Sequence, residues 1–319
     1  MNRFSSLALA AVLAASAAHA ESFPDKPITF VVPFAAGTAT DQIARALGNG
    51  VTAETKQAVV IDNKAGASGF IASQQVAKAP ADGYTVLITT NTTHAANEHL
   101  FKKLPYDPVK DYAPIAALGK GGQIMVVNPS FPAKTVAEFV AMAKKQPGKY
   151  SFGSGSSSSR IAGELFQQMA DVKLLHVPYK SNTLAVTDLL GGQIDMMITD
   201  TATGLPQVKS GKLRALGVSS SKRSPLAPEV PTIAEAGVKG YEMGYWFAAY
   251  APAKTPPAVV KRLNELLVKA AQSDAAKAAF YDPTGTEVFT TSPEELAKFQ
   301  AAESQKWGRI VKAAGIEAE

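Results

Sequence analysis

PFAAGTATD, residues 33–41, stands between the apolar run Ile28-Thr29-Phe30-Val31-Val32 and the stretch Gln42-Ile43-Ala44-Arg45-Ala46-Leu47. A run rich in branched residues followed by a helix-forming one predicts a strand, a turn of small residues and a helix beginning near Asp41. The first turn of a helix carries backbone N–H groups without intrahelical acceptors and the positive end of the helix dipole. A turn of glycine, alanine and threonine lets an anion approach those groups, so a carboxylate or phosphate is the natural guest. Each dipole contact contributes only about 0.3–2 kcal/mol. Micromolar affinity requires about 8 kcal/mol, so several N–H and hydroxyl donors must act together with closure of a cleft.

The same design recurs further along. Tyr150-Ser151-Phe152 reads as a short strand, Gly153-Ser154-Gly155-Ser156-Ser157-Ser158 as a turn, and Ser159-Arg160-Ile161-Ala162-Gly163-Glu164-Leu165-Phe166 as the opening of a helix. Two such helix starts, one per lobe, would face each other across a cleft. The candidate binding residues are Gly37, Thr38, Ala39, Thr40 and Asp41 in the first turn and Ser154, Gly155, Ser156, Ser157 and Ser158 in the second. Gly37, Gly153 and Gly155 also suit plain tight turns, and Thr40 or Ser159 plain N-caps. Asp41, four residues before Arg45, either pairs with it on one helix face, caps its own turn, or orients a ligand amine or water. Arg160 sits at a positive dipole end, an unfavourable place for a cation. It either reaches a second ligand carboxylate or remains a solvated surface residue.

Outward from these stretches, runs rich in Val, Ile and Phe alternate with runs rich in Ala, Lys and Gln. Strands are expected at 28–32, 58–61, 85–89, 124–128, 150–152, 173–176, 196–199, 215–218 and 247–251. Helices are expected near 41–50, 70–77, 136–144, 159–169, 182–190, 257–273 and 293–314. Such alternation predicts an α/β fold with largely parallel sheets, whose ligands bind beyond the carboxyl ends of the strands. The last helix, with Leu296, Phe299, Trp307, Ile310 and Val311 on one face, is expected to pack back on the first lobe. At 319 residues the chain exceeds a single core, which predicts two domains. No low-complexity linker separates them, which predicts a chain that crosses between lobes more than once.

Residues 1–20 read as a cleaved secretory signal peptide: Asn2-Arg3, the apolar run Leu7 to Ala18, and the small-x-small end Ala18-His19-Ala20. That run falls short of the roughly 20 residues of a spanning helix. The mature protein is therefore expected in a bacterial periplasm. Without cysteine there is neither a disulfide nor a lipid-bearing Cys. A net charge of +5, with Lys and Arg scattered, argues against nucleic acid as a partner.

His94, His99 and His176 are too few for a histidine-rich metal cage, and neither H-E-x-x-H nor a Walker-type loop occurs. No metal and no organic cofactor is expected. The second turn does not match the G-x-S-x-G nucleophile elbow, so catalysis is not expected. The alternative from another class is a secreted serine hydrolase using Ser154 or Ser156 with His94.

In order along the chain, PFAAGTATDQIAR, KAGASGFIASQQVAKAPADGYTVL, THAANEHLFKKLPYDPVKDYAPIA, VPYKSNTLAVTDLLGGQIDMM, SGKLRALGVSSSKRSPLAPEVPTIAEAG and APAKTPPAVVKRLN resemble the extracytoplasmic solute receptors of tripartite tricarboxylate transporters, the Bug receptors. The resemblance covers nearly the whole mature chain. It implies a two-lobe, type II-like periplasmic binding protein that closes on a small carboxylate and delivers it to a membrane permease. It implies that the turn from Phe34 to Asp41 holds a carboxylate through backbone amides, hydroxyls and ordered waters, and that Ser154 to Ser158 closes from the other lobe. Thr90, Thr93, Asn182, Thr199 and Asp200 are implied to complete the wall.

The chain departs from the family pattern at several positions. Thr38 replaces the second of two adjacent glycines, Arg160 a usual histidine, Ser181 a glycine, Leu184 a proline and Ser68 an asparagine, and Phe70 is bulkier than usual. The expected fold is α/β, with two mainly parallel sheets flanked by helices and a ligand cleft between lobes. Residues 21–122 and 245–319 are expected to form domain 1, and 123–244 domain 2. The expected ligand is a mono- or dicarboxylate, with an aromatic or longer-chain one lying against Phe34 and Phe152 unless those rings are core. A monomer is expected, with permease subunits as partners; a ligand sensor for a signalling partner is the remaining alternative.

Overall fold

The computed structural model describes residues 23–318, so the expected signal peptide lies outside the described residues. The first half runs β1 (Ile28–Val32), α1 (Ala39–Thr55), β2 (Val59–Asn63), α2 (Phe70–Ala77), β3 (Thr85–Thr90), α3 (Asn97–Leu100) and β4 (Tyr112–Val127). It continues through α4 (Val136–Lys145), β5 (Ser151–Ser154), α5 (Ser157–Ala170), β6 (Leu175–Pro178), α6 (Asn182–Leu190), β7 (Met196–Asp200), α7 (Thr201–Lys209) and β8 (Arg214–Val218). It ends with β9 (Gly244–Pro252), α8 (Pro257–Gln272), short helical turns between residues 274 and 284, and α9 (Pro293–Ala313).

The strands form the order β2-β1-β3-β9-β4-β7-β5-β6, with β8 also on β4. β1 pairs in parallel with β2 and β3, and β5 in parallel with β6 and β7. The middle is antiparallel: β9 pairs with β3 and β4, and β4 with β7 and β8. The sheets are therefore mixed rather than mainly parallel, because β4 and β9 run antiparallel to each other and to the strands on either side of them. β4 changes partners part-way. Tyr112 to Gly122 pair with β9, and Gln123 to Val127 with β7.

β4 is much longer than the strand expected at 124–128. Its first part, Tyr112 to Gly122, is rich in Ala and Gly and has Ile115 as its single β-branched residue. α7 was not expected either, since Gly204 and Pro206 obscure it. Asp200 caps it, accepting a hydrogen bond from Thr203 N–H at 2.8 Å.

β1 is apolar almost throughout because both of its faces are covered, leaving Ile28, Phe30, Val31 and Val32 fully buried. On one side Phe30, Val32, Ile43, Leu47, Val86, Leu263 and Leu267 form a core under α1 and α8. On the other, a core runs from Val31, Leu87 and Trp246 through Met125 to Phe152 and Phe166, and includes Leu296, Trp307 and Val311 of α9. Ile124, Val126, Leu189, Met197 and Leu205 fill the far face of the second sheet. Each such side chain contributes about 1.5–3 kcal/mol by leaving water. α9 touches β4 and also α5, so it bridges both halves instead of packing on the first alone.

Candidate functional site

α1 begins where the sequence predicts a guest. Thr38 stands at its N-cap position but makes no capping bond; its hydroxyl donates to Ala35 O at 2.7 Å instead. The first-turn N–H groups of Ala39 and Thr40 thus lack both an intrahelical acceptor and a side-chain cap. Asp41 shapes the turn from behind. Its Oδ2 accepts Gly37 N–H at 2.8 Å and Arg45 Nε at 3.0 Å, and its Oδ1 accepts Asn63 Nδ2 at 3.0 Å. Burial works to raise the Asp41 pKa, but the bonds from Arg45, Gly37 and Asn63 outweigh it and hold the carboxyl below its ordinary value. Asn63 also donates to Phe34 O at 3.0 Å, fixing both ends of the turn.

α5 begins differently. Ser156 and Ser159 form a reciprocal capping box, and Gly155 N–H is held by Asn182 Oδ1 at 3.0 Å. Asn182 also donates through Nδ2 to Asp200 Oδ2 at 3.0 Å, joining the starts of α5, α6 and α7. Gly155 is obligatory for this approach, since a Cβ there would lie 1.9 Å from the carbonyl carbon of Ser181. Ser158 Oγ accepts Gln123 Nε2 at 2.9 Å, leaving its own hydrogen available.

The two helix starts line one cavity enclosing about 460 Å³ of space free of protein atoms, part of it open to solvent. Phe34, Thr38, Ala39 and Thr40 form one wall, and Gly155, Ser156 and Ser158 face them. Thr90, Asn182 and Asp200, implied by the family resemblance, also line the cavity. No lysine, arginine or histidine lines this cavity.

Seven expected residues lie elsewhere. Gly37 and Asp41 stand behind the first turn. Thr93 is buried between Thr89 Oγ1 at 2.6 Å and His94 Nδ1 at 2.8 Å, and Thr199 is fully buried on β7. Ser154, Ser157 and Arg160 line an adjoining cavity. Phe152 is fully buried, stacked on His176 with centroids 4.8 Å apart, and is core. The structure also does not bring His94 to Ser154 or Ser156. His94 stacks on Tyr250 at 4.0 Å, while Ser154 bonds His176 Nε2 at 2.7 Å.

Five lining residues escaped the sequence: Asn91, Thr92, Gln123, Tyr245 and Phe247. Asn91 and Thr92 follow β3 directly, and the rule that ligands sit beyond strand ends was the signal for them. Gln123 occupies the position where β4 changes partners, and Tyr245 and Phe247 belong to β9; nothing in the sequence separates them from sheet residues. Asn91 Nδ2 and Gln123 Oε1 are buried without a protein hydrogen-bond partner. Among the described residues no cluster of His, Cys, Asp and Glu is suited to a metal, and no helix is long and apolar enough to cross a membrane.

Residues 43–316 match the model of the tripartite tricarboxylate transporter family receptor. The chain belongs to this receptor family. It is 38% identical to the UPF0065 protein in the tcbD-tcbE intergenic region of Pseudomonas sp. strain P51, over 91% of this chain and 87% of that one. It is 35% identical to protein BugT of Bordetella pertussis, over 93% and 91%. Among solved structures it resembles R. palustris Rpa4515 with adipate, with a TM-score of 0.90 and 34% identity over 93% of this chain and all of that one. MatC (Rpa3494) from Rhodopseudomonas palustris with bound malate gives 0.85 and 30%, over 91% and 100%. The periplasmic binding protein BugD gives 0.88 and 33%, over 93% and 100%. The receptor thus has the two-lobe α/β fold of a periplasmic binding protein, as the sequence predicted.

Proposed function

We propose that this receptor captures a small carboxylate between residues 21–122 with 245–319 and residues 123–244, and hands it to the permease of a tripartite transporter. It works in the periplasm, as a monomer and without catalysis. One observation carries the reading: the uncapped start of α1 faces the serine-rich start of α5 across a cavity without a basic side chain. Neutral donors lining one cavity suit a carboxylate, and closure of the cleft, by lowering the local dielectric, would strengthen each of them. The ligand contacts are assigned to the amides of Ala39 and Thr40, the Thr90 and Ser158 hydroxyls, and the carboxamide N–H of Asn91. The relatives' adipate and malate are both carboxylates and support the class.

Thermal melting with a panel of dicarboxylates, citrate, aromatic acids, acidic amino acids, neutral sugars and amines tests the proposal. A ligand that binds only the folded state at a hundred times its Kd adds about 2.7 kcal/mol of stability, a plain rise in Tm. Carboxylates are expected to produce it. Stabilisation by sugars or amines alone refutes the reading, and stoichiometric recovery of unchanged ligand is expected in place of turnover.

A further inference from the structure

A second cavity opens beside the first and shares Phe34, Gly155 and Ser156 with it. It encloses about 1000 Å³, again partly open, against about 460 Å³. The two differ in charge. The first has a single acidic wall residue, Asp200, and its two side-chain oxygens already accept from Thr203 N–H and Asn182 Nδ2. The second has Arg160, His176 and Lys180 on its wall and, among the described residues, no aspartate or glutamate. Phe101, Pro178 and Tyr179 add apolar surface.

Arg160 stands close to the N-terminus of α5, where the helix dipole opposes its charge. Its field reaches Glu164, which is off the cavity wall and whose carboxyl burial pushes up. Lys180 is exposed and has no ion pair among the described residues. Two permanent cations therefore border a space that an anion in the first cavity does not fill. A second anionic group kept in the first cavity would meet Asp200 with no cation to balance it.

We propose that the second cavity is an anion subsite for the far end of an elongated dianionic ligand, whose first carboxylate lies at the α1 amides. This rests on the carboxylate reading and narrows its class to α,ω-dianions whose apolar spacer passes between Phe34 and the Gly155-Ser156 backbone. Short dianions are the poorer ligands.

Titration calorimetry with α,ω-dicarboxylic acids of about four to about ten carbons, each beside its monomethyl ester, tests the subsite. Longer diacids are expected to bind roughly tenfold or more tighter than their monoesters, the size of effect that a close charge pair supplies. Arg160→Gln and Lys180→Gln are expected to shrink that ratio while leaving monoester affinity unchanged, and Arg160→Lys to keep most of it. Lys180→Gln, at an exposed position, separates loss of charge from loss of folding. Equal affinity for diacid and monoester at every length overturns the subsite, as does a ratio untouched by both glutamine variants. In either case monoester binding leaves the carboxylate reading standing. If neither diacid nor monoester binds, the subsite falls, and the melting panel with citrate, aromatic acids and acidic amino acids decides the carboxylate reading separately.

Discussion

The Ser157 hydroxyl donates to Asn97 Oδ1 at 2.8 Å, tying the start of α5 to the start of α3 with both side chains buried. The bond links elements supported by different sheets and lies next to the ligand cavity. Its loss costs the closed arrangement about 0.5–1.5 kcal/mol. Ser157→Ala is therefore expected to weaken ligand binding by about 2- to 12-fold, since ligand favours closure only by its differential affinity. Calorimetry gives the affinity, and small-angle scattering of the ligand-free variant is expected to show a larger radius of gyration.

Asp41→Asn keeps the shape of the side chain but removes the charge that Gly37 N–H and Arg45 bond. A loss of about 1–2 kcal/mol at neutral pH is expected, below the full worth of charge-assisted bonds because Arg45 is half exposed. The folded pKa lies below the ordinary 3.8. The unfolded chain thus takes up the proton first, and this stabilisation is complete above about pH 4 and fades as pH falls through the folded value. Urea unfolding between about pH 2 and 5 should therefore have a shallower pH slope in the variant than in the native chain.

His94 gives the same trend from a different cause. It is fully buried, bonded to Thr93 and stacked on Tyr250, and burial depresses its pKa from 6.5 to about 3. Only the unfolded chain is protonated between those values, so stability is full above pH 6.5 and declines below it. About 2 kcal/mol less is expected at pH 5 than at neutral pH. His94→Gln should remove most of this difference in denaturant titrations at the two pH values.

Gly155→Ala places a methyl group against the Ser181-Asn182 backbone at 1.9–2.1 Å, so α6 must move. A loss of 3 kcal/mol or so and of ligand binding is expected. Gly37→Ala meets nothing within 4 Å, and its cost is confined to a φ of +81°, about 1 kcal/mol. Melting curves of the two variants, run side by side, check the contrast.

Both strand, turn and helix units were legible because each compresses an apolar run, small residues and a helical run into adjacent segments. The opposed arrangement of Thr38, Ala39 and Thr40 against Ser156 and Ser158 followed from reading the unit twice. What stayed hidden depends on tertiary pairing. Gln123 matters because β4 changes neighbours beside it, and the Ala- and Gly-rich half of β4 is held as strand by β9 rather than by its own propensity. Asp41 and Arg45 illustrate the converse. Their spacing was plain, but only the folded turn assigns Asp41 to Gly37 and Asn63 and so behind the binding surface.

The continuity of β4 has a mechanical consequence. A single extended segment is hydrogen-bonded into one sheet up to Gly122 and into the other from Gln123 onward, so the halves cannot swing apart unless this ribbon flexes at that junction. Gln123, a wall residue of the cavity, sits on the flexure itself. Any rotation of one half on the other would therefore turn the backbone of a residue that also lines the cavity.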